Sequence, residues 1–329
     1  MGSPTSVSGP ADAGVDALAP AIDMVADSDI LCSGVVARSA WRGSGERDDM
    51  TLHDRIGVDL GGRRPLEEGL AWAAHHGVHY VDCCLEGAPA HPNAPGTWTD
   101  QRLAGVRATL ERHRIHLGLH TLSGVNVAET SSFLSDAVDR YLATYIELSG
   151  RLGAEWIVVH GGFHFGDYEA RRAASFEHLE RAVAVAERAG ARLLLENLNR
   201  EPDDAEVHYL AFSIEECRDY FRRLASPALG WAFTVNHAHL LPEGIDGFLD
   251  AIGLERCGEV RLADNRGDKE QHLQPGEGTI DFGRMFRRLE ADGYRGHYMM
   301  AFGSLDDMLK GRAALTRSAG LDAPSAVRS

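Results

Sequence analysis

The chain is 329 residues long, 44% hydrophobic and 25% charged, with a net charge of −16 and an isoelectric point near 5.4. This is globular composition with ample length for a large core, and so acidic a surface repels a phosphate backbone, which argues against a nucleic-acid partner. Five cysteines, at 32, 83, 84, 217 and 257 and without a CxxC spacing, point to a reducing cytoplasm; no apolar run nears the ~18 residues of a membrane span, and the first residues lack the pattern of a signal peptide.

Residues 1 to 28 are rich in Gly, Pro, Ser, Ala and Asp and read as part of a partly mobile extension over 1–52. "DILCSGVVA" within it is a candidate short strand or buried arm. From Arg55 the pattern becomes regular. "RIGVD" reads as a strand, and "PLEEGLAWAAHHG" as a helix with Pro65 near its start and Gly77 past its end. "HYVDCC", "HLGLH", "WIVVH", "RLLLE", "GWAFT", "EVRLAD" and "HYMMAF" are the later strands, each followed by a helical pattern. The helices over 132–152 and 168–189 are the longest. Several strands are short apolar runs, as expected where both faces are buried. Eight such units over residues 53–318, followed by a tail at 319–329, predict an α/β protein with a (β/α)8 TIM barrel. An open doubly wound sheet is disfavoured because no GxGxxG opens a helix after a strand.

In such a barrel the chemistry sits at the C-terminal ends of the strands. Those ends carry Asp82, His120, His160, Glu196, Thr234 with His237 and His239, and Arg261 with Asp264. The loop after the seventh strand adds Glu270 and His272. Glu196 stands out because it ends the apolar run "RLLLE", where a carboxylate is costly unless paired or functional. His160 follows "WIVV" in the same way. His75, His76, His79, His113 and His178 read as surface residues, His237 and His239 as loop residues, and Cys83 and Cys84 as packing residues.

The segments "WIVVHGG", "LLLENLNR", "NHAHL" and "VRLADNRGDKEQHLQPGEGTIDF", with the eight units, resemble the xylose-isomerase-like TIM barrels over roughly residues 55–318. That superfamily includes sugar phosphate isomerases and epimerases, dehydratases and apurinic endonucleases of family 2. The resemblance implies a metal held by Glu, Asp, His and Glu on the fifth to eighth strands. Glu196 matches the first of these, but Thr234, Arg261 and Ala301 stand at the other three. Ala and Arg are not usual metal ligands and Thr is a poor one. His120 and His160 match histidines that in the endonuclease branch share a metal with the fifth-strand Glu. His237, Glu270 and His272 match a further ligand group there. Arg261 is expected to pair with Glu196 and to supply a fixed positive charge in place of the metal.

The expected function is an isomerase, epimerase or lyase working by proton transfer next to a carbonyl on a sugar-like or cyclic polyol or keto substrate, without the usual four-ligand metal. Glu196, His160, His237 and Arg261 are the expected catalytic residues. His120, His239, Asp264, Glu270 and His272 are expected to bind substrate. The alternatives are a relocated Zn, Mn or Fe on His120, His160 and Glu196, and a non-catalytic ligand-binding barrel or subunit. A cytoplasmic protein, compatible with homo-oligomers and without nucleic-acid or membrane partners, completes the expectation.

Overall fold

The computed structural model describes residues 50–62, 64–85 and 91–320. The candidate strand at 29–37, most of the extension and the tail from 321 lie outside the described residues. The strands of the barrel are β1 (Ile56–Asp59), β2 (Tyr80–Cys83), β3 (His116–His120), β4 (Trp156–Val159), β5 (Leu193–Glu196), β6 (Leu229–Thr234), β7 (Cys257–Leu262) and β8 (His297–Met300). Each pairs in parallel with its sequence neighbour, and β8 returns to β1, closing a TIM barrel in sequential order. The apolar runs behave as their composition requires: β2, β4, β5, β6, β7 and β8 are buried at every residue.

A helix follows each strand: Leu66–His75, Asp100–His113, Ser135–Leu152, Tyr168–Ala189, Ile214–Arg223, Gly244–Ile252, Phe282–Ala291 and Leu305–Ala319. Their ends are written locally. Thr99 and Ser213 accept the N–H of Arg102 and Glu216, satisfying donors that no helix can satisfy itself. Ser304 and Asp307 form a reciprocal capping box. No described helix is long and apolar enough to cross a membrane.

Two packing layers result. Alternate strand residues such as Val58, Leu117, Ile157 and Val260 face the helices in the main core, whereas Tyr80, Trp156, Val158, Leu194, Ala232 and Met299 fill the barrel interior. A bulge sets which residues of β7 turn inward. Trp231 lies opposite Cys257 but Ala232 opposite Glu259, so Gly258 is the extra residue. Cys257 and Val260 join the outer core, and Glu259 and Arg261 make their ion pairs inside the barrel. Gly118 on β3 is there for space: a Cβ would sit 2.2 Å from the Trp156 ring and 2.3 Å from Asp82 Oδ1, where the indole N–H donates to that oxygen at 3.0 Å.

Two local expectations are corrected and one feature is added. His237 and His239 lie on a one-turn helix, Val235–His239, not in a loop. His178 is 1% exposed, with Nδ1 2.6 Å from Asp139, so it is a core histidine. The loops after β4 and β5 meet as a two-residue antiparallel pair, Phe163–His164 with His208–Tyr209, that the sequence reading did not include.

Candidate functional site

At the C-terminal mouth β3, β4 and β5 deliver His120, His160 and Glu196 to one point. Glu196 Oε2 lies 3.2 Å from His160 Nε2 and 3.6 Å from His120 Nε2, and the two Nε2 atoms are 3.1 Å apart. A triangle with those sides of 3.1, 3.2 and 3.6 Å has a circumscribed radius of about 1.9 Å, so a point slightly off its plane is ~2.0–2.1 Å from every corner, the ordinary Zn–N and Zn–O distance.

The partners behind the rings decide which nitrogens face that point. Thr121 Oγ1 donates to the Val158 carbonyl at 3.0 Å and therefore accepts from His160 Nδ1 at 3.3 Å, which leaves His160 Nε2 bare. His237 Nδ1 donates to the Asn197 carbonyl at 2.8 Å, 3.6 Å from Glu196 Oε1. Thr234 Oγ1 donates to the same Oε1 at 2.6 Å. Beyond His237 stands Glu270, whose Oε1 is 3.5 Å from His237 Nε2 and takes His272 Nε2–H and an Asn236 N–H at 2.9 Å each. Glu270 Oε2 is buried without a hydrogen-bond partner, an unmet acceptor of the kind that calls for a ligand or water.

Arg261 does not pair with Glu196. Nη1 meets Asp82 Oδ2 at 2.5 Å and Glu259 Oε1 at 2.6 Å, and Nη2 meets Asp59 Oδ2 at 2.7 Å. The physical reason is charge balance: β1, β2 and β7 place three carboxylates within reach of one buried guanidinium, and an unpaired buried carboxylate is costly. Arg261 still acts on Glu196 through space.

The electrostatics follow. Burial alone would raise the Glu196 carboxyl, but the close approach of the His120 and His160 rings and the charge of Arg261 outweigh it and hold it well below the usual range. A carboxylate held so firmly is a poor proton acceptor and a good ligand. Burial pushes His160 down, toward the neutral imidazole. Burial opposes protonation of His237 too, but the Glu270 hydrogen bond and charge outweigh it and raise the ring. Glu270 is held down to about 2, because hydrogen bonds from His237 and His272 overcome its burial. Burial, and then the charge of a neighbouring carboxylate, pushes Asp82 up, and burial pushes Glu259 up.

Among the described residues three groups of His and acidic side chains bring their donor atoms within 4.8 Å of one another: His120–His160–Glu196, His237–Glu270–His272 and Asp59–Asp82–His120. The third already surrounds a guanidinium. The first fits a divalent cation best, because two imidazole nitrogens and a carboxylate oxygen point at one another with no positive group between them.

The model of the xylose isomerase-like TIM barrel family matches residues 70–316. The chain belongs to this family. An uncharacterized protein of Methanocaldococcus jannaschii is 26% identical over 212 residues, 62% of this chain and 70% of that protein. Among solved structures, a D-tagatose 3-epimerase-like protein superposes with a TM-score of 0.69 at 21% identity, covering 81% of this chain and 97% of its own. The 3-keto-D-glucoside 4-epimerase of E. coli gives 0.63 at 18% identity, covering 81% and 99%. A family 2 AP endonuclease of Brucella melitensis gives 0.63 at 17%, covering 80% and 98%. At these identities the superpositions establish the fold.

Of the four positions that the family resemblance assigns to a metal, Glu196 has its carboxylate in the triangle, Thr234 donates to it, Arg261 is itself a cation and Ala301 offers no side-chain donor. A second ion beside that guanidinium would meet its charge. Two residues expected at substrate are bonded to one loop. Asp264 is fully buried and accepts the N–H groups of Gly276, Gly278 and Ile280 at 2.8–3.2 Å, shaping the "PGEGTI" loop. His239 Nε2 meets Thr279 Oγ1 of that loop at 2.8 Å. The residues that sequence reasoning passed over are Asp59, Glu259, Thr121 and Asn197. Asp59 ends "RIGVD" and Glu259 precedes Arg261 by two on one strand face, so alternation was the available signal.

Proposed function

We propose that this chain is a sugar isomerase or epimerase that moves a proton next to a carbonyl of a ketose-like substrate, with one divalent cation held by His120, His160 and Glu196. The observation that carries the reading is the donor triangle. Its corners match the radius of a bound ion, and His160 presents a bare Nε2 to it. An ion bound there supplies Lewis-acid polarisation of a carbonyl. This replaces the metal-free expectation in which Arg261 stabilised an enolate: its guanidinium is already met by three carboxylates.

The remaining residues divide the work. His237, between Glu196 and Glu270, keeps its proton and holds a positive charge beside the mouth that favours an anionic oxygen. His272, 54% exposed and bonded to Glu270, stands at the mouth where a proton can pass to or from substrate. The solved structures resembling the chain are named mainly as sugar epimerases, which favours isomerisation or epimerisation over loss of water. The acidic net charge of −16 runs against a DNA substrate.

The test is protein purified without added metal, analysed for bound ion, then incubated with ketohexoses in deuterated water with Mn, Co or Zn. Deuterium appearing at the carbon next to the carbonyl, and lost in His160→Ala with the ion, is the expected result. Exchange that persists after the ion is removed would return the metal-free reading. No exchange with any ketose, although the ion is held, would favour a ligand-binding barrel.

A further inference from the structure

The geometry points to Asp59 as a positioning residue that selects the ion-binding tautomer of His120, and this deepens the cation reading on which it rests. His120 differs from His160 and His237. Their Nδ1 atoms each have a hydrogen-bond partner, Thr121 and the Asn197 carbonyl. His120 Nδ1 is buried and makes no hydrogen bond. It lies instead 3.8 Å from Asp59 Oδ2 and 4.0 Å from Asp82 Oδ2.

Both oxygens are fixed. Asp59 Oδ1 accepts the Gly61 N–H at 2.7 Å, and Oδ2 accepts Arg261 Nη2 at 2.7 Å. Asp82 Oδ1 accepts the Trp156 indole N–H at 3.0 Å, and Oδ2 accepts Arg261 Nη1 at 2.5 Å. Neither carboxylate can swing to meet the ring, and neither can turn away from it. A bare Nδ1 lone pair facing two carboxylate oxygens would be repelled. An Nδ1–H pointing between them is attracted, and the attraction offsets the missing hydrogen bond. On the other side of the ring an Nε2–H would meet His160 Nε2 at 3.1 Å and Glu196 Oε2 at 3.6 Å; the two fixed acids draw the proton to Nδ1 instead, and Nε2 turns its lone pair into the triangle beside His160 Nε2 and Glu196. Of the two acids, Asp59 is the nearer, and its side chain is 16% exposed while that of Asp82 is fully buried. Arg261 is then the anchor that holds Asp59 in place.

A carboxylate behind a ligand histidine fixes its ring and raises its basicity, and loss of such a partner typically weakens metal binding 10–100-fold. Two measurements test the role, both without substrate. Nitrogen NMR of labelled, ion-free protein reads the His120 tautomer directly, with His120→Gln identifying the signal. Competition with a chelator reads the affinity for Zn²⁺ alone. The expected result is an Nδ1–H tautomer in the native protein, a mixed or reversed tautomer in Asp59→Asn, and Zn²⁺ binding weaker by ~10–100-fold. An Nε2–H tautomer in the native protein overturns the proposal, and that reading needs no variant to fold. So does an Asp59→Asn protein with tautomer and Zn²⁺ affinity unchanged. A native protein that binds no Zn²⁺ but shows Nδ1–H at His120 supports the role of Asp59 and refutes the cation reading instead.

Discussion

Two clusters share the mouth of this barrel and solve the same problem differently. Under β1, β2 and β7, three carboxylates converge and a guanidinium from the chain itself sits among them. Under β3, β4 and β5, two imidazoles and a carboxylate converge with no cation of their own. Converging lone pairs in a buried place need a positive charge. The first cluster has it covalently and permanently; the second leaves the place to be filled. On the proposed reading the first is scaffold and the second is the site.

The comparison breaks most visibly at Arg261. Replacement by Leu should leave Asp82 and Glu259 buried without their cation and destabilise the fold by ~3–5 kcal/mol, read by urea unfolding. A loss below about 1 kcal/mol would mean the three acids do not depend on the guanidinium. The second cluster should respond to ions instead. Zn²⁺ at a hundred times its dissociation constant should raise stability by ~2.7 kcal/mol in the native protein and by nothing in His160→Ala. Equal stabilisation of both proteins would place the ion elsewhere.

A finer cut separates ligand from support. Thr234→Val removes the hydroxyl that holds Glu196 Oε1 at 2.6 Å and should cost ~1–2 kcal/mol in ion-free protein. If Zn²⁺ affinity fell far more than that of Asp59→Asn, Thr234 would be the main orienting group. A further effect is a slope with pH. Glu270 binds its proton less readily folded than unfolded, being held at about 2 against an ordinary 4.5. The stability it contributes is full above pH ~4.5 and is lost as pH falls toward ~2. Glu270→Gln should flatten that acid limb in chelator-treated protein, as pH-dependent unfolding would show.

Much of the barrel was legible because its strands are buried on both faces and so read as apolar runs. "HLGLH" was placed to the residue, as was the long helix Tyr168–Ala189. Five-residue Val235–His239 was not legible, being too short to show a helical period. His178 was legible and missed: with Ser175, Leu179, Ala182 and Ala186 it lies on the buried stripe of its helix. The partner of Arg261 was not legible. Strand parity puts Arg261 and Glu196 inside the same barrel, yet closure brings β1 and β2 around to β7, and a guanidinium goes where acids are densest. The His120–His160–Glu196 grouping, by contrast, needed only three adjacent strands ending in metal-ligating side chains.

The extra residue in β7 ties composition to orientation. Gly258 shifts the strand's phase by one, so that positions 259 and 261 look into the barrel although 257 looks out. Without the bulge, strict alternation from Cys257 through Gly258 would send a carboxylate and a guanidinium toward the greasy flank of the helices, while Val260 faced the acids. The orientation of this mouth's side chains thus depends on a backbone irregularity as well as on the side chains themselves. A relative with a regular strand would present the same inward pair only if it lacked one residue here, so a one-residue gap at this spot would mark a bulge and not a change of chemistry.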